Sequence, residues 1–249
     1  MQPTMVSRLK FFAVACGLVL LIRPALAEPP RAVLELFTSQ GCSSCPPADA
    51  VLADLARQPD IVALSFPVDY WDYLGWKDTL AHSAFTARQK AYAQSRSDRQ
   101  VYTPQMIVNG TKPCIGSDRA RVEESIKATS AAGGALPVNL EIAESNGTVT
   151  ILVRDTPQTI TRVAEIWILP VSRSQTVQIG RGENRGRTVT YANVVRGMNR
   201  VGEWRGGAAR YQVSVDTARG KGDGYVVLLQ TVEDNIPSAI LGAAKSKGL

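Results

Sequence analysis

The sequence predicts an α/β N-terminal domain, a mixed sheet flanked by helices, followed by an all-β, sandwich-like C-terminal domain. Three observations predict it. From residue 28 to about residue 133, apolar strand-like runs alternate with helical stretches. From about residue 137 to 234 the chain reads as strand after strand. Between them Gly133-Gly134, followed by Pro137, punctuates the chain. The expected organisation is a leader over residues 1–27, the α/β domain over 28–134 and the β domain over 135–249.

The leader has the pattern of a secretory signal. Arg8 and Lys10 precede a 12-residue apolar run, Phe11 to Ile22, which is too short to span a bilayer. Ala25-Leu26-Ala27 is a small-x-small cleavage site, so a periplasmic or secreted chain beginning at Glu28 is expected. Cleavage removes Cys16, Arg8, Lys10 and Arg23 and lowers the net charge from +6 to +3. So small a charge does not point to nucleic acid or to a membrane surface. No later run is long and apolar enough to cross a bilayer. Export leaves three cysteines in an oxidising compartment, where a disulfide persists.

In the first half, Ala32 to Thr38 and Ile61 to Val68 are apolar runs of buried-strand type. Ala48 to Ala56 places Ala48, Val51, Leu52 and Leu55 on one helical face, and Ser83 to Ser95 does the same with Phe85, Gln89 and Tyr92. Gln105 to Asn109 is a short strand turning at Asn109-Gly110, with Cys114 to Gly116 returning beside it. Asp118 is placed to cap a helix over Arg119 to Thr129. The order β-α-β-α-β-β-α is the thioredoxin arrangement. In the second half seven runs read as strands: Val138 to Ala143, Val149 to Val153, Val163 to Pro170, Thr176 to Ile179, Thr188 to Val195, Tyr211 to Val215 and Tyr225 to Val232. About seven short strands indicate a β-sandwich. Ile236 to Lys245 is expected to be a closing helix.

The chemistry-bearing feature is Cys42-Ser43-Ser44-Cys45, set between the first strand and the first helix. A C-x-x-C there can close and reopen a small disulfide. Unpaired N–H groups at the helix entrance favour a thiolate. In such a motif Cys42 would be the exposed nucleophile and Cys45 the buried resolver. Pro46-Pro47 removes two N–H groups and starts the helix at about Cys45 or Pro46, which leaves Cys42 slightly ahead of the dipole. The competing reading is a static structural disulfide.

Thr103-Pro104, just before the third strand, stands where thioredoxin folds carry a cis-proline facing the dithiol. There Thr103 would present its backbone to an incoming peptide. The loop Asp69-Tyr70-Trp71-Asp72-Tyr73-Leu74-Gly75-Trp76 follows the second strand, on the edge where open α/β sheets place their sites. Asp69 or Asp72 would accept a proton near Cys45, and Tyr70, Trp71, Tyr73 and Trp76 would line a substrate groove, or else cap the core. Cys114 is open to several readings: a third thiol near the dithiol, a surface thiol, an intermolecular bridge or a small buried residue. Three thiolates would suit Cu(I) only if Cys114 reached the dithiol. His82 is the lone histidine and reads as structural or solvated. Gly180 to Arg187 lacks the Lys-Ser/Thr pair of a phosphate loop and reads as a charged loop docking the two halves.

Three runs carry a resemblance: Leu36 to Asp49 around the dithiol, Val68 to Asp78, and Tyr102-Thr103-Pro104-Gln105-Met106. With Glu183-Asn184-Arg185-Gly186-Arg187 and Asn193-Val194-Val195, they resemble a family of exported bacterial thioredoxin-like proteins catalogued as a domain of unknown function. The resemblance covers nearly all of the mature chain. It implies a thioredoxin-like fold with a C-terminal β domain, and it matches Cys42, Cys45 and Pro104 to the thioredoxin-like site. The family pattern often carries His where this chain has Pro67, so a metal or proton-transfer role at that position is lost, and Cys114 stands outside the pattern.

The leading expectation is an exported thiol–disulfide oxidoreductase that exchanges with a thiol or disulfide protein partner of the cell envelope and needs no cofactor. The alternative is a binding module: either a Cu(I) carrier on Cys42 and Cys45, or a non-catalytic protein-binding module with a structural disulfide. A His-dependent hydrolase is the weakest fit, because no nucleophile has a plausible histidine beside it.

Overall fold

The computed structural model describes residues 29–96, 99–131, 136–156, 160, 162–234 and 236–249. The expected signal segment and the Gly133-Gly134 boundary lie outside them. No helix among the described residues is long and apolar enough to cross a membrane.

Strand β1 (Ala32–Thr38) is buried along its whole length, as is β2 (Ile61–Pro67), and the two pair in parallel from Ala32↔Ile61 to Thr38↔Pro67. A parallel pair needs a crossover, and α1 (Pro46–Leu55) supplies it. On the other side of β1 runs β3 (Gln105–Val108), antiparallel, then β4 (Lys112–Ile115). The alternation along β1 divides two cores. Ala32, Leu34 and Leu36 pack with Ala48, Leu52 and Leu55 of α1 and with Val122 and Ile126 of α3 (Arg119–Ala131). Val33 and Phe37 pack on the opposite face with Phe85 and Tyr92 of α2 (Ser83–Ser95). Asp118 caps α3 as expected, its Oδ1 accepting from the Arg121 N–H at 3.1 Å.

The second half is built of β5 (Leu140–Ser145), β6 (Thr148–Val153), β7 (Ala164–Gln178), β8 (Thr188–Val195), β9 (Asn199–Trp204), β10 (Ala209–Ser214), α4 (Val215–Arg219), β11 (Gly224–Glu233) and β12 (Ile236–Lys245). Its strands fall into a large and a small sheet, and the large one continues the sheet of the first half. The large mixed sheet runs β12-β11-β7-β8-β2-β1-β3-β4, with β9 paired to β7. The junction is parallel, Ser65 of β2 opposite Val194 of β8. The reason lies in β2, which is apolar on both faces and would otherwise end a sheet on a bare edge. The smaller sheet, β10-β6-β5, lays Val149, Ile151 and Val153 over Ile166, Ile168, Val227 and Leu229 of the large one.

Two expectations are corrected. The runs at Val163 and Thr176 are one strand, β7, passing through Pro170. Its pairing with β9 ends at Ile168 and that with β8 begins at Val171, so Pro170 lies in the gap, where no ladder N–H is required. Ile236 to Lys245 is strand β12, paired antiparallel with β11, and not a helix. Its small residues serve a close crossing: a Cβ on Gly242 would stand 2.4 Å from the Val138 carbonyl oxygen. Strand β9 and the short helix α4 went unrecognised in the sequence.

A buried polar network ties the halves together. Arg88 of α2 donates to Glu35 of β1 at 2.7 Å and to Gln230 of β11 at 2.8 Å, while the Tyr92 hydroxyl donates to the second oxygen of Glu35. Gln230 in turn donates to the Tyr92 oxygen and to the Ser238 carbonyl, both at 2.7 Å.

Candidate dithiol site

Cys42 and Cys45 are joined as a disulfide, with Cα atoms 5.4 Å apart. The loop that carries them leaves the C-terminal end of β1. The Cys42 N–H donates to the Ser39 carbonyl, and the Cys45 N–H to the Cys42 carbonyl. Cys45 is the N-cap of α1, and its carbonyl accepts from Ala48 and Asp49. Pro46 and Pro47 occupy the first helical positions, whose N–H groups have no intrahelical acceptor in any case. Ser44 Oγ lies 3.4 Å from Cys42 Sγ.

Exposure departs from expectation. Cys42 was expected to be open, yet it is 1% exposed, and Cys45 is 0% exposed. Part of the cover comes from the loop between β7 and β8. Asn184, itself 1% exposed, donates from Nδ2 to the carbonyls of Gln40 at 3.0 Å and Cys42 at 2.8 Å. The neighbouring Glu183 accepts from the Ser43 N–H at 3.3 Å. The loop can turn so tightly because Gly182 and Gly186 take φ of +74° and +81°. The charged loop expected to dock the halves therefore sits on the dithiol itself.

The aromatic loop forms the adjoining wall. The Trp76 indole donates to Gln40 Oε1 at 2.8 Å, and its ring lies against Gly180, where a Cβ would stand 3.1 Å from it. Trp71 packs on Gly41 and donates to Thr103 Oγ1 at 2.8 Å, linking the dithiol loop to Thr103-Pro104, whose peptide bond is cis. Gly116 fills the space between Pro104 and Ala48 at the start of α1. The Tyr70 and Trp71 rings are 6.2 Å apart, whereas Tyr73 points to solvent at 78% exposure. Asp69 accepts from Thr86 of α2 at 2.5 Å, and Asp72 accepts from the Asp78 N–H at 3.0 Å, so one carboxylate ties the loop to α2 and the other shapes the loop itself.

The buried acids at the site are two that sequence reasoning missed. Asp49 lies one turn beyond Cys45, on the same face of α1. Burial pushes its carboxyl up to about 7 against the opposing pull of a hydrogen bond from Thr38 (2.8 Å), and the nearby Asp78 adds to the rise. Its second oxygen, Oδ2, is buried and has no hydrogen-bond partner among the described residues. Asp78 accepts from the Gln40 N–H at 2.7 Å and is also raised, chiefly by burial. Tyr191 of β8 faces both acids, and burial followed by their charge keeps its hydroxyl protonated. In the sequence Asp49 closes the run around the dithiol and is one of two acids on α1, with Asp54, beside the apolar stripe Ala48-Leu52-Leu55.

The remaining candidates fall elsewhere. Cys114 is free and half-buried on β4, and burial pushes its thiol up to about 11. His82 caps α2, accepting from the Ala84 N–H at 3.1 Å. Among the described residues, no group of three or more His, Cys, Asp or Glu could hold a metal ion.

No curated protein matches the chain. Among solved structures, a crystal structure of an Agrobacterium tumefaciens protein is similar, with 34% sequence identity and a TM-score of 0.79, over 89% of this chain and 96% of that one. The family model described as "Protein of unknown function (DUF1223)" matches residues 33–230, and the chain belongs to that family.

Proposed function

We propose that this protein is an exported, thioredoxin-like thiol–disulfide oxidoreductase acting through Cys42 and Cys45. The observation that carries the reading is the placement of the Cys42–Cys45 bond at the entrance of α1, with the raised acid Asp49 one turn behind it. The sheet order β2-β1-β3-β4 and the cis Thr103-Pro104 bond beside the loop support a thioredoxin-like core. The N-terminal signal pattern supports export to the periplasm or beyond.

In one turn of exchange a partner thiolate attacks Cys42 Sγ, and the Cys42–Cys45 bond breaks. The electron pair leaves on Cys45, which takes a proton from the Asp49 carboxyl. A second partner thiolate then attacks the partner sulfur of the mixed disulfide and releases Cys42 as thiolate. The partner dithiol becomes a disulfide, and this protein becomes a dithiol. In the reverse direction the Asp49 carboxylate accepts the Cys45 proton. A carboxyl near 7 serves both directions at neutral pH. The direction follows the relative potentials of the two couples.

Burial of both cysteines favours a second reading, a binding module whose disulfide is static. A Cys45→Ser variant separates the two. Exposed to a periplasmic extract, it should accumulate mixed disulfides on Cys42. Absence of any adduct, with a wild-type disulfide that resists dithiothreitol in the folded protein, would leave the static reading.

A further inference from the structure

The loop that covers Cys42 is also cationic. Arg181, Arg185 and Arg187 are exposed on it, and Lys77 is exposed on the adjoining aromatic loop. Elsewhere among the described residues nine arginines have a carboxylate within ion-pair distance. The three on this loop have none there, and Glu183, the acid among them, accepts from the Ser43 N–H. Three unpaired guanidinium groups within seven residues thus border a buried disulfide whose loop the same segment holds by its backbone. Guanidinium is the side chain suited to forked pairing with carboxylates.

We propose that the loop of residues 180–187 is the docking surface for an acidic polypeptide. Carboxylates of the partner pair with Arg181, Arg185 and Arg187 and draw the Glu183–Asn184 turn off Cys42. In the setting of the redox reading, the partner's cysteine then reaches Cys42 Sγ. Recognition and uncovering become one event, so small neutral thiols meet a closed site and an acidic partner opens it.

Docking is tested without redox chemistry, by fluorescence anisotropy of labelled peptides with Ser at the centre, flanked by Asp and Glu, by neutral residues or by Lys. At low salt the oxidised protein should bind the acidic peptide about tenfold or more tighter than the neutral one, as expected for two or three exposed ion pairs. A variant combining Arg181→Gln, Arg185→Gln and Arg187→Gln should lose that preference, and added salt should erode it in the wild type. Equal binding of acidic and neutral peptides, or an unchanged preference in the triple variant, overturns the proposal. So does tighter binding of a single-stranded oligonucleotide of equal charge.

Uncovering is read from the rate at which dithiothreitol reduces Cys42–Cys45. The acidic peptide at saturation should accelerate the wild type severalfold, and Asn184→Ala and the surface variant Glu183→Ala should be faster without it. A rate unmoved by the peptide overturns the gating. A disulfide that no condition reduces sinks the redox reading and leaves the docking result standing.

Discussion

Asn184 holds Cys42 from 142 positions away in sequence, its side-chain amide donating to the Cys42 carbonyl at 2.8 Å. The same nitrogen reaches the Gln40 carbonyl, so one side chain from the β7–β8 loop ties together the residues on either side of Gly41. Asn184→Ala leaves two carbonyls on the dithiol loop without this partner and should cost about 1–3 kcal/mol. Urea denaturation of the oxidised protein measures it. Asn184→Asp keeps the shape but presents only acceptors when ionised, and should be no better than alanine.

Asp49 should make stability depend on pH. Its carboxyl is raised in the folded protein, so the neutral form is the one folding favours. The associated stability is full below about pH 4 and is lost as pH rises toward 7, a span of roughly 4 kcal/mol from about 1.4 kcal/mol per unit. Asp49→Asn removes this slope, so the variant should gain on the wild type between pH 4 and 7 and hold its advantage above. Parallel urea curves at pH 4.5 and 7.5 show the sign; equal differences at both values would remove Asp49 from the buried acids. In exchange assays the wild type should show a pH dependence near 7 that the variant lacks.

The Glu35–Arg88 pair should behave as a buried couple. Arg88→Met strands the Glu35 carboxylate, 0% exposed, and should cost about 3–5 kcal/mol, whereas pairing it with Glu35→Leu should recover much of the loss. A double-mutant cycle by denaturation gives the coupling.

Gly242→Ala distinguishes a strand from a helix at the C-terminus. In a helix interior the change would stabilise by about 1 kcal/mol. In β12 the new Cβ meets the Val138 carbonyl oxygen at 2.4 Å, and overpacking should cost about 1–3 kcal/mol. The sign of the change in melting temperature decides it.

These cases also mark what the sequence makes legible. The elements of the first half follow from local periodicity. Ser83 to Ser95 is helical to the residue, and Phe85, Gln89 and Tyr92 are buried on its inner face. The second half was harder because its errors are non-local. Nothing within Ile236 to Lys245 announces that β11 lies alongside, and Gly242, which with its neighbouring alanines reads as helix, stands where Val138 and Leu140 approach closely. The junction of Ser65 with Val194 joins segments 129 positions apart and has no local signature. At the site, the cysteines and Thr103-Pro104 were visible as motifs. Asp49 was hidden in a helix otherwise read for its apolar stripe. Glu183 and Asn184 stood in a loop recognised as charged, but that they cover Cys42 depends on packing alone.

The proposed chemistry requires Cys42–Cys45 to be an exchanging disulfide. Its reduction potential, measured by equilibrating the folded protein with glutathione or dithiothreitol buffers and quantifying the free thiols, tests that most directly. An exchanging pair should titrate reversibly at a potential above about −300 mV, within the range of thiol–disulfide oxidoreductases. A potential well below about −300 mV would mark a structural bond and contradict it.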